Sequence, residues 1–448
     1  MADPATEAAL AVIDAALASL DPAPGDDPVR LLVGLSGGLD SSVLLHALVR
    51  RRGRDGIRAI HVHHGLHADA DAWSAHCERA CEAMGVPLQR VRVQVEASSP
   101  LGPEGAAREA RHAAFAAALR QGECLVLAHH RDDQAETVLL RLMRASGSRG
   151  LAAMLPDRMF ADTRMLRPLL GVPREALRTY AHAHALAWCE DPSNAAADAD
   201  RNFLRLRVLP VLAERWPAAA AALATSAAQL EEDARLLDEA TDDRLRSLGA
   251  GDTLPVAGLL ALPDAWRARV LRRWVLDRGL PPLPASATRA ITRDVLRAPH
   301  DRLASYRWRD ADLRRWRGAL HALRMADLAP VPPWSVAWSG REPLVLPEGG
   351  RLAFEGAKPS DLDADFGACT VGSRRGGERL RLPGRGHSHS LKQQLQAAGL
   401  PPWLRLRLPL LRSADGELLA AGGAFVSHRL QAWCDRHSLV LRWRPHAD

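Results

Sequence analysis

The stretch from Arg30 to Leu45 reads RLLVGLSGGLDSSVLL, and it decides the fold of the first part of the chain. Its apolar start, Leu31 to Leu35, is typical of a buried strand, and the apolar run from Val43 to Leu45 is typical of a helix. Gly37 and Gly38 lie between the two, where a chain without Cβ atoms can turn so that successive N–H groups face an anion. The sequence therefore predicts a phosphate-binding loop between a strand and a helix.

The absence of two motifs reduces the number of loop types that this segment can form. No G-x-x-x-x-G-K-[ST] and no G-x-G-x-x-G occurs here, which argues against the common mononucleotide and dinucleotide loops. SGGLDS instead resembles the pyrophosphate loop of the N-type ATP pyrophosphatases, which cut ATP between its α and β phosphates and adenylate a substrate oxygen. The resemblance implies that Asp40 holds Mg²⁺, a cation that prefers carboxylate and phosphate oxygens. The alternative is a plain glycine turn in which Asp40 or Ser41 caps the helix.

The whole chain has 448 residues, enough for two to four domains. A formal net charge of +6 suits a polyanionic partner. The first twenty residues lack a basic start and carry acids within their apolar stretch, so we expect neither a signal peptide nor a membrane span, and a cytoplasmic protein. The six cysteines show no C-x-x-C spacing and are expected to be reduced thiols. Cys77 and Cys81 lie on one face of an amphipathic helix and are predicted to pack in a core.

Strands and helices alternate after the glycine loop. A strand at Ile57 to Val62, a helix at Asp71 to Met84 and a strand at Leu88 to Val95 predict a βαβαβ unit. Such alternation predicts a parallel, doubly wound sheet whose ligands gather at the carboxyl ends of the strands. His63 and His64 lie at such an end and are candidates to border the adenosine of ATP, although a surface turn explains either histidine equally well.

Two arginines and two acids follow in the next helical segments. Arg108 and Arg111 are three apart on one helix face, where they either solvate the helix or meet phosphate. Asp133 and Glu136 precede an apolar helix, and their spacing predicts a capping box in which Asp133 accepts an amide and Glu136 reaches back. The functional alternative is that the two carboxylates hold a cationic substrate at the rim of the sheet.

Taken together, the motifs identify a family. SGGLDS, HVHHGLH, EGAAREARH, AHHRDDQAET, RPLL, EDPSN and RNFLR occur over residues 30 to about 210 in the order expected of the bacterial tRNA(Ile)-lysidine synthetases. That resemblance implies adenylation of O2 of the wobble cytidine, position 34 of an isoleucine tRNA with a CAU anticodon. The ε-amine of free L-lysine then attacks C2, giving lysidine, AMP and pyrophosphate.

The resemblance also implies roles for individual residues. It implies that Asp133 and Glu136 bind the lysine substrate, which overturns their interpretation as a cap alone. It also implies that Arg201 and Arg205 stabilise charge on the phosphoryl group or the anticodon loop. With Asp40, these four are the expected catalytic residues. His67 and His112 depart from the family pattern, which commonly has Arg and Tyr there. The residues expected at ATP are Ser36, Gly37, Gly38, Leu39, Asp40, Ser41 and His63.

Composition changes along the rest of the chain predict its domains. We expect an α/β catalytic domain over residues 1–215, a helical linker over 216–248, a mainly helical tRNA-binding domain over 249–330, and a small α+β tRNA-binding domain over 331–448. Segments rich in Arg and Trp, at 266–274 and 307–316, are interpreted as helices. Leu404 to Leu408 alternates with basic and aromatic residues, which predicts a strand with one buried and one basic face. The residues expected at tRNA are Arg108, Arg111, Arg374, Arg375, Lys392, Arg405 and Arg407.

Two other functions compete with the ligase. A tRNA thiolase shares the pyrophosphate loop, but it needs a sulfur-carrying cysteine or a cluster held by paired cysteines, and no C-x-x-C is present. An RNA-binding protein with a vestigial ATP site conflicts with the intact Gly37, Gly38, Asp40 and Asp133. The sequence does not distinguish a monomer from a homodimer.

Overall fold

The structure is a computed structural model, and it describes residues 3–21, 28–65, 67–95, 102–192, 199–284, 286–299, 303–347, 349–356 and 362–444. Ser193 and Asn194 of the EDPSN motif lie outside these residues. The chain divides into two compact units, Met1–Asp238 and Glu239–Asp448. Among the described residues, no helix is both long and apolar enough to cross a membrane.

The first unit contains a six-stranded sheet in the order β3-β2-β1-β4-β6-β5. Every neighbouring pair is parallel except β5 with β6, so the predicted parallel sheet is confirmed. The third strand ends at Arg92, sooner than the predicted Val95. The strands are β1 Arg30–Gly34, β2 Ile57–His63, β3 Leu88–Arg92, β4 Glu123–Val126, β5 Asp157–Phe160 and β6 Thr163–Leu166.

Helices cover both faces of this sheet, as a doubly wound fold requires. Short 3₁₀ turns occur at Ala18–Leu20 and Pro168–Gly171, and a π turn at Leu204–Val208. The segment 216–248, predicted to be helical, contains the long last helix of the series. The helices are α1 Pro4–Leu17, α2 Leu39–Arg52, α3 Ala70–Met84, α4 Gly102–Ala118, α5 Arg131–Met143, α6 Ser148–Leu151, α7 Arg174–Ala183, α8 Asp200–Phe203, α9 Leu209–Arg215 and α10 Ala219–Ser247.

Two apolar cores flank the sheet. One contains Val33, Leu44 and the two cysteines of α3, and the other contains Leu32, Phe115 and Leu125. Consecutive residues Leu32 and Val33 thus enter opposite cores, as the period-two geometry of a strand requires. The prediction that Cys77 and Cys81 pack in a core is confirmed. Burial raises the pKa of the Cys77 thiol to about 12 and that of Cys81 to about 11.

The strand order reverses at β1, which pairs with β2 on one side and with β4 on the other. Ligands of open α/β sheets bind at such a switch point, beyond the carboxyl ends of the strands. The glycine loop follows β1, and the segment His129 to Asp133 follows β4. The topology therefore brings the two motifs to one crevice.

Within the described residues, the second unit contains a four-stranded sheet, β7-β10-β9-β8, followed in its C-terminal part by sheets of five, three and two strands. Its apolar cores include Trp274, Trp308 and Trp433, so many tryptophans of this region fill cores. Its strands are β7 Thr253–Pro255, β8 Ser305–Trp308, β9 Ala311–Trp316, β10 Ala319–Arg324, β11 Ser335–Ala337, β12 Leu344–Val345, β13 Arg351–Gly356, β14 Thr370–Gly372, β15 Arg379–Leu380, β16 His389–Ser390, β17 Leu410–Arg412, β18 Leu418–Ala421, β19 Phe425–Val426 and β20 Leu439–Arg444.

Helices of the second unit are short, apart from α12 and α18. A π turn at Ile291–Leu296 extends α13. The predicted order, a helical region followed by a C-terminal region that mixes helices and strands, is confirmed. The helices are α11 Val256–Ala261, α12 Asp264–Asp277, α13 Ala287–Ala290, α14 Met325–Leu328, α15 Leu362–Phe366, α16 Leu391–Ala397, α17 Pro402–Arg407 and α18 His428–His437.

The interpretation of residues 307–316 as a helix was wrong, because they belong to the antiparallel strands β8 and β9. Trp308 pairs with Ala311 across a two-residue turn, and Trp316 pairs with Ala319 across a second one. In the second turn Arg317 and Gly318 both have positive φ, at 45° and 80°, which is the backbone of a type I′ hairpin. The turns, which the Arg and Trp spacing does not reveal, reverse the chain.

The strand predicted at Leu404 to Leu408 was also wrong. Residues Pro402–Arg407 form the short helix α17, with proline at its first position, where a fixed φ favours helix initiation. Trp403 and Leu408 are buried, whereas Leu406 is 63% exposed. The leucines therefore do not share one buried face, and the predicted basic strand face does not exist.

Candidate functional site

The glycine loop joins β1 to the N-terminus of α2. Gly37 has φ +85°, and a Cβ there would lie 3.0 Å from Sγ of Cys77, so the loop requires glycine at this position. Ser36 and Ser41 brace the loop with their Oγ atoms 3.0 Å apart, and the Gly38 N–H donates to Oγ of Ser36. The first turn of α2 carries N–H groups without partners inside the helix, and its dipole favours an anion. The loop is built for phosphate oxygens.

Gly37→Ala should strongly impair ATP binding. A side chain at positive φ costs roughly 1–2 kcal/mol, and the Cβ would push against Cys77, so the loop must shift. We expect a rise of about tenfold or more in the Kd for ATP, measured by calorimetry. Gly53→Ala is the matched control, because Gly53 also has positive φ, with nothing within 4 Å of an added Cβ. An equal loss of ATP affinity in both variants would contradict the special role of Gly37.

Asp40 lies in the first turn of α2, within the same loop. Burial raises the pKa of its carboxyl above the ordinary value. Within the described part of the chain, its buried Oδ1 accepts no hydrogen bond, and Nε of Arg174 is 4.0 Å from it. A buried carboxylate oxygen without a donor suits a divalent cation. Among the described residues, no cluster of three or more His, Cys, Asp or Glu side chains suited to a metal was found.

Asp133 and Glu136 on α5 face Arg201 of α8 and Arg205 of the π turn that follows α8. Glu136 is fully buried and accepts Nε–H bonds from Arg201 and Arg205, both at 2.6 Å. Oδ1 of Asp133 accepts from Nη2 of Arg201 at 2.8 Å and of Arg205 at 3.3 Å. We call these four residues the acid–arginine clamp. Burial opposes ionisation of Asp133, but His130 and Arg201 hold the pKa of its carboxyl below the ordinary value.

The capping box differs from the predicted one. Helix α5 begins at Arg131, so Asp133 is its third residue and accepts the main-chain N–H of His130 at 3.1 Å. Asp133 is therefore the third helical residue of the capping box, whereas it was predicted to be the N-cap residue. Glu136, the predicted second member, lies beyond the first turn, and both of its oxygens face arginines. The spacing suggested a cap, but the cap lies three residues earlier.

His130 lies among three aspartates. Its Nε2 is 3.4 Å from Oδ2 of Asp133 and 3.7 Å from Oδ2 of Asp40, and its Nδ1 is 3.6 Å from Oδ2 of Asp132. Although burial favours the neutral ring, these carboxylates raise the pKa of His130 above its ordinary value. His130 thus connects the loop aspartate Asp40 with the clamp aspartate Asp133.

A cavity of about 1120 Å³ opens at the carboxyl edge of the sheet. The glycine loop forms one part of its lining, and Asp133 and Arg205 of the clamp form another. Glu136 and Arg201, the other two residues of the clamp, do not line the cavity. The predicted site residues that line it are Ser36, Gly38, Leu39, Asp40, Ser41, His63, Arg108, Arg111, Asp133 and Arg205.

Sequence comparisons decide the family. The PP-loop domain matches residues 12–212, the TilS substrate binding domain matches residues 254–321, and the TilS substrate C-terminal domain matches residues 369–443. The chain is 51% identical over 429 residues to the tRNA(Ile)-lysidine synthase of Xanthomonas axonopodis pv. citri, covering 95% of this chain and 96% of that one. The chain belongs to the tRNA(Ile)-lysidine synthase family.

A second relative and a solved structure extend the comparison. The tRNA(Ile)-lysidine synthase of Xylella fastidiosa strain 9a5c is 47% identical over 425 residues, covering 94% of this chain and 96% of that one. A U34-tRNA thiolase from Methanococcus maripaludis, solved with its [4Fe-4S] cluster, has a TM-score of 0.44 at 16% identity and covers 51% of this chain and 80% of that one.

The two histidines that depart from the expected family pattern both make ring contacts in the structure. His67 stacks on Trp73 with ring centroids 4.8 Å apart. His112 lines the cavity and meets Phe160 edge to face, with ring centroids 5.7 Å apart. Burial lowers the pKa of His112 to about 4, so this histidine is a neutral ring at pH 7, as a tyrosine would be.

The basic residues predicted at tRNA in the second unit differ in their accessibility. Arg375 and Lys392 are exposed. Arg405 donates to the main-chain oxygen of Leu400, and Arg407 donates to those of Ala326 and Asp327. Arg374 donates to the main-chain oxygen of Arg405 and to Glu378. Three of these five side chains thus make contacts within the protein, and their assignment to tRNA stays a prediction.

Sequence reasoning gave no role to several residues that the fold brings to the cavity. His129 and Arg174 line it, and Arg167 lies behind His129. His130 joins the three aspartates described above. His129, His130 and Arg167 occur inside the AHHRDDQAET and RPLL motifs, which was the available signal. Their partners lie on other elements, so the motifs alone did not show what they contact.

Proposed function

We propose that this protein ligates L-lysine to C2 of the wobble cytidine of a tRNA(Ile) with a CAU anticodon, using ATP. The observation that carries the proposal is that the SGGLDS loop lines one cavity together with Asp133 and Arg205 of the acid–arginine clamp, in a member of the tRNA(Ile)-lysidine synthase family. O2 of the cytidine attacks the α-phosphate and pyrophosphate leaves. The uncharged ε-amine of lysine then attacks C2, and AMP leaves as lysidine forms.

The glycine loop is proposed to hold the triphosphate. Ser36 and Ser41 keep the loop in shape, and Gly37 and Gly38 let its N–H groups approach the phosphate oxygens. Asp40 is proposed to hold Mg²⁺ together with the phosphates, since its Oδ1 is buried without a donor. The cation would offset the charge that develops on the phosphates. Leu39 and His63 line the same cavity and complete the proposed ATP site.

The clamp is proposed to receive lysine. Asp133 reaches the cavity with its carboxylate, so a substrate ammonium can approach it directly. Glu136 does not line the cavity and would act through the arginines that it holds. Because Arg201 and Arg205 both donate toward Oδ1 of Asp133, an incoming ammonium must take the place of an arginine N–H. We propose that the phosphate charge draws Arg205, which lines the cavity, away from Asp133.

The remaining proposals concern the chain as a whole. We propose the catalytic domain at 1–215, the linker at 216–248, and tRNA-binding domains at 249–330 and 331–448. Arg108 and Arg111 line the cavity and are proposed to meet the anticodon loop. A cytoplasmic location follows from the proposed substrates, and sedimentation of the purified protein would distinguish the monomer from the homodimer.

The direct test incubates the purified protein with ATP, labelled lysine and tRNA(Ile) of CAU anticodon. We expect label in the tRNA, together with one AMP and one pyrophosphate per lysine. The matched control is the same tRNA with uridine at position 34, which should take up no label. ATP cleavage without transfer of lysine to the CAU tRNA would contradict the ligase assignment and favour another modification of the same tRNA.

Arg375→Ala combined with Lys392→Ala should weaken tRNA binding and flatten its salt dependence. Both side chains are exposed, and each lost phosphate contact removes about 0.9 from the slope of log K against log salt. Filter binding at several salt concentrations should therefore give a slope smaller by about 2. Arg293→Ala combined with Arg351→Ala removes two other exposed arginines and should change the slope less. Equal slopes for the two double variants would remove Arg375 and Lys392 from the tRNA contact.

A further inference from the structure

Arg167 is a buried cation at the end of β6. It is 3% exposed, and its guanidinium donates to the main-chain oxygen of Leu155 at 2.8 Å, to Sδ of Met165 at 3.0 Å and to Nδ1 of His129 at 3.1 Å. Within the described part of the chain, no carboxylate forms an ion pair with it. A buried charge without a counter-ion is costly, and burial lowers the pKa of Arg167 to about 10. Burying the Arg167 guanidinium beside His129 therefore lowers the stability of the fold, and the structure nevertheless keeps this contact.

That contact fixes the position of the proton on His129. A guanidinium N–H only donates, so Nδ1 of His129 must be the acceptor and carry no proton. Burial lowers the pKa of His129 to about 3, so the ring is neutral at pH 7. The one proton of the neutral ring is then on Nε2. His129 lines the cavity, and its Nε2–H is the hydrogen-bond donor that it can offer to a ligand.

The cavity around His129 suits a flat heterocyclic ring. Leu127, Ala128 and Phe115 give it an apolar lining, and His112, another neutral ring, lines it as well. The same cavity contains the SGGLDS loop, where the phosphates of ATP are expected. An aromatic and aliphatic surface with a single fixed donor is how proteins recognise the edge of an unstacked base.

We propose that Arg167 holds His129 as a fixed hydrogen-bond donor that recognises N3 of the cytosine base in this cavity. The inference rests on the proposed function, which brings the wobble cytidine to ATP in the same cavity. Cytosine N3 is an acceptor, whereas uracil carries a proton on N3, so the same Nε2–H attracts cytosine and repels uracil. His129 is thus a specificity residue that contacts the base, and Arg167 is a positioning residue that acts through it.

The first test compares anticodon stem-loops that contain cytidine, 3-deazacytidine or uridine at position 34. Their affinities for the full-length protein are measured with Mg²⁺ and α,β-methylene ATP, so that no chemistry occurs. The wild type should bind the 3-deaza and uridine RNAs about 10- to 100-fold more weakly than the cytidine RNA. His129→Phe keeps a flat ring without the donor, and it should bind the cytidine and 3-deazacytidine RNAs equally.

The second test removes the positioning residue. In Arg167→Met, His129 is free to carry its proton on either nitrogen, so the preference for cytidine over uridine should fall about tenfold or more, and Arg167→Lys should restore it. Arg267→Met is the matched control, because Arg267 is 4% exposed and also donates to main-chain oxygens, in the second unit. That variant should lose stability and keep the cytidine preference.

Two results would overturn the inference. One is a wild type that binds 3-deazacytidine and cytidine RNAs equally, a comparison that needs no variant. The other is an Arg167→Met variant with a lower melting temperature and an unchanged preference for cytidine, which would make Arg167 structural only. Lysine transfer to the CAU tRNA is measured in parallel. If lysine is transferred but cytidine and 3-deazacytidine RNAs bind equally, only the proposed role of His129 is contradicted. If no lysine is transferred, the proposed function itself is contradicted.

Discussion

Asp133→Asn should raise the KM for lysine about 10- to 100-fold, or abolish lysine incorporation, while ATP-dependent adenylation of tRNA remains detectable. Lysine arrives as an ammonium with an ordinary pKa of about 10.4, so its site must attract a cation and then let a proton leave before nitrogen attacks. Asp133 is the clamp carboxylate that reaches the cavity. Asparagine keeps the shape and the hydrogen bond to the His130 N–H but removes the charge.

The variant should also be less stable than the wild type. From sequence alone a melting temperature close to wild type is expected, because asparagine keeps the shape of aspartate and most of its capping capacity. The contacts change that expectation: Asp133 is 8% exposed, and its loss of charge removes one of the two clamp carboxylates that Arg201 and Arg205 contact. A partly neutralised buried ion pair commonly costs a few kcal/mol. Lysine kinetics and stability must therefore be measured together.

Glu123→Gln supplies the matched control. Glu123 is 3% exposed, and Arg58 donates to both of its oxygens, at 2.7 and 2.8 Å, at the opposite edge of the sheet. Its loss should lower the melting temperature to a similar degree while leaving the KM for lysine unchanged. If Asp133→Asn and Glu123→Gln behave alike in both measurements, Asp133 serves the fold and lysine binds elsewhere.

The order of local patterns was sufficient to predict the catalytic sheet and its phosphate loop. A strand, two glycines and a helix are contiguous in sequence, so Ser36 to Ser41 could be placed without any distant contact. The same holds for the parallel strands, because the crossover helices are encoded between them. The switch point at β1 then follows from the strand order, which brings Asp40 and Asp133 into one cavity.

The clamp was beyond the reach of local patterns. Arg201 lies 65 residues after Glu136, and nothing in either motif states that the two side chains meet. The π turn at Leu204–Val208 continues the helix beyond α8, so both arginines of RNFLR face α5. The position of a helix cap depends on the residue at which the helix begins. Helix α5 begins at Arg131, several residues before the apolar run from which the helix was predicted.

Short elements with competing signals were the other source of error. Around Leu406 the alternation of leucine and arginine favours a strand, but the preceding Pro401 and Pro402 favour the first turn of a helix, and the helix formed. In β8 and β9 the apolar spacing fits a helix until the turns at Arg309 and Gly318 are recognised. A two-residue turn leaves only a weak signal in the sequence, so tertiary contacts determine the secondary structure of such short segments.

Asp40→Ala should reduce both ATP cleavage and lysine transfer by about a thousandfold or more, because a cation that offsets phosphate charge contributes several kcal/mol to such reactions. The fold should survive, and the direction of the stability change follows from the pKa. Burial raises the pKa of Asp40 above 3.8, so the folded protein disfavours its ionised form. At pH values well above 3.8 the carboxylate is charged in the folded and unfolded states, and burying it lowers the free energy of unfolding. At pH values below 3.8 the carboxyl is protonated in both states, so this cost disappears.

Asp40→Asn, which keeps the shape of the side chain, should therefore melt at the wild-type temperature or higher at pH 7. Any gain over the wild type should vanish near pH 3. Adding Mg²⁺ and ATP should raise the melting temperature of the wild type and leave that of Asp40→Asn nearly unchanged, since only a ligand that binds the folded state stabilises it. Thermal scans with ATP and with EDTA separate the two effects. An equal stabilisation of both proteins by Mg²⁺ and ATP would show that the cation is held by other groups and that Asp40 serves the loop alone.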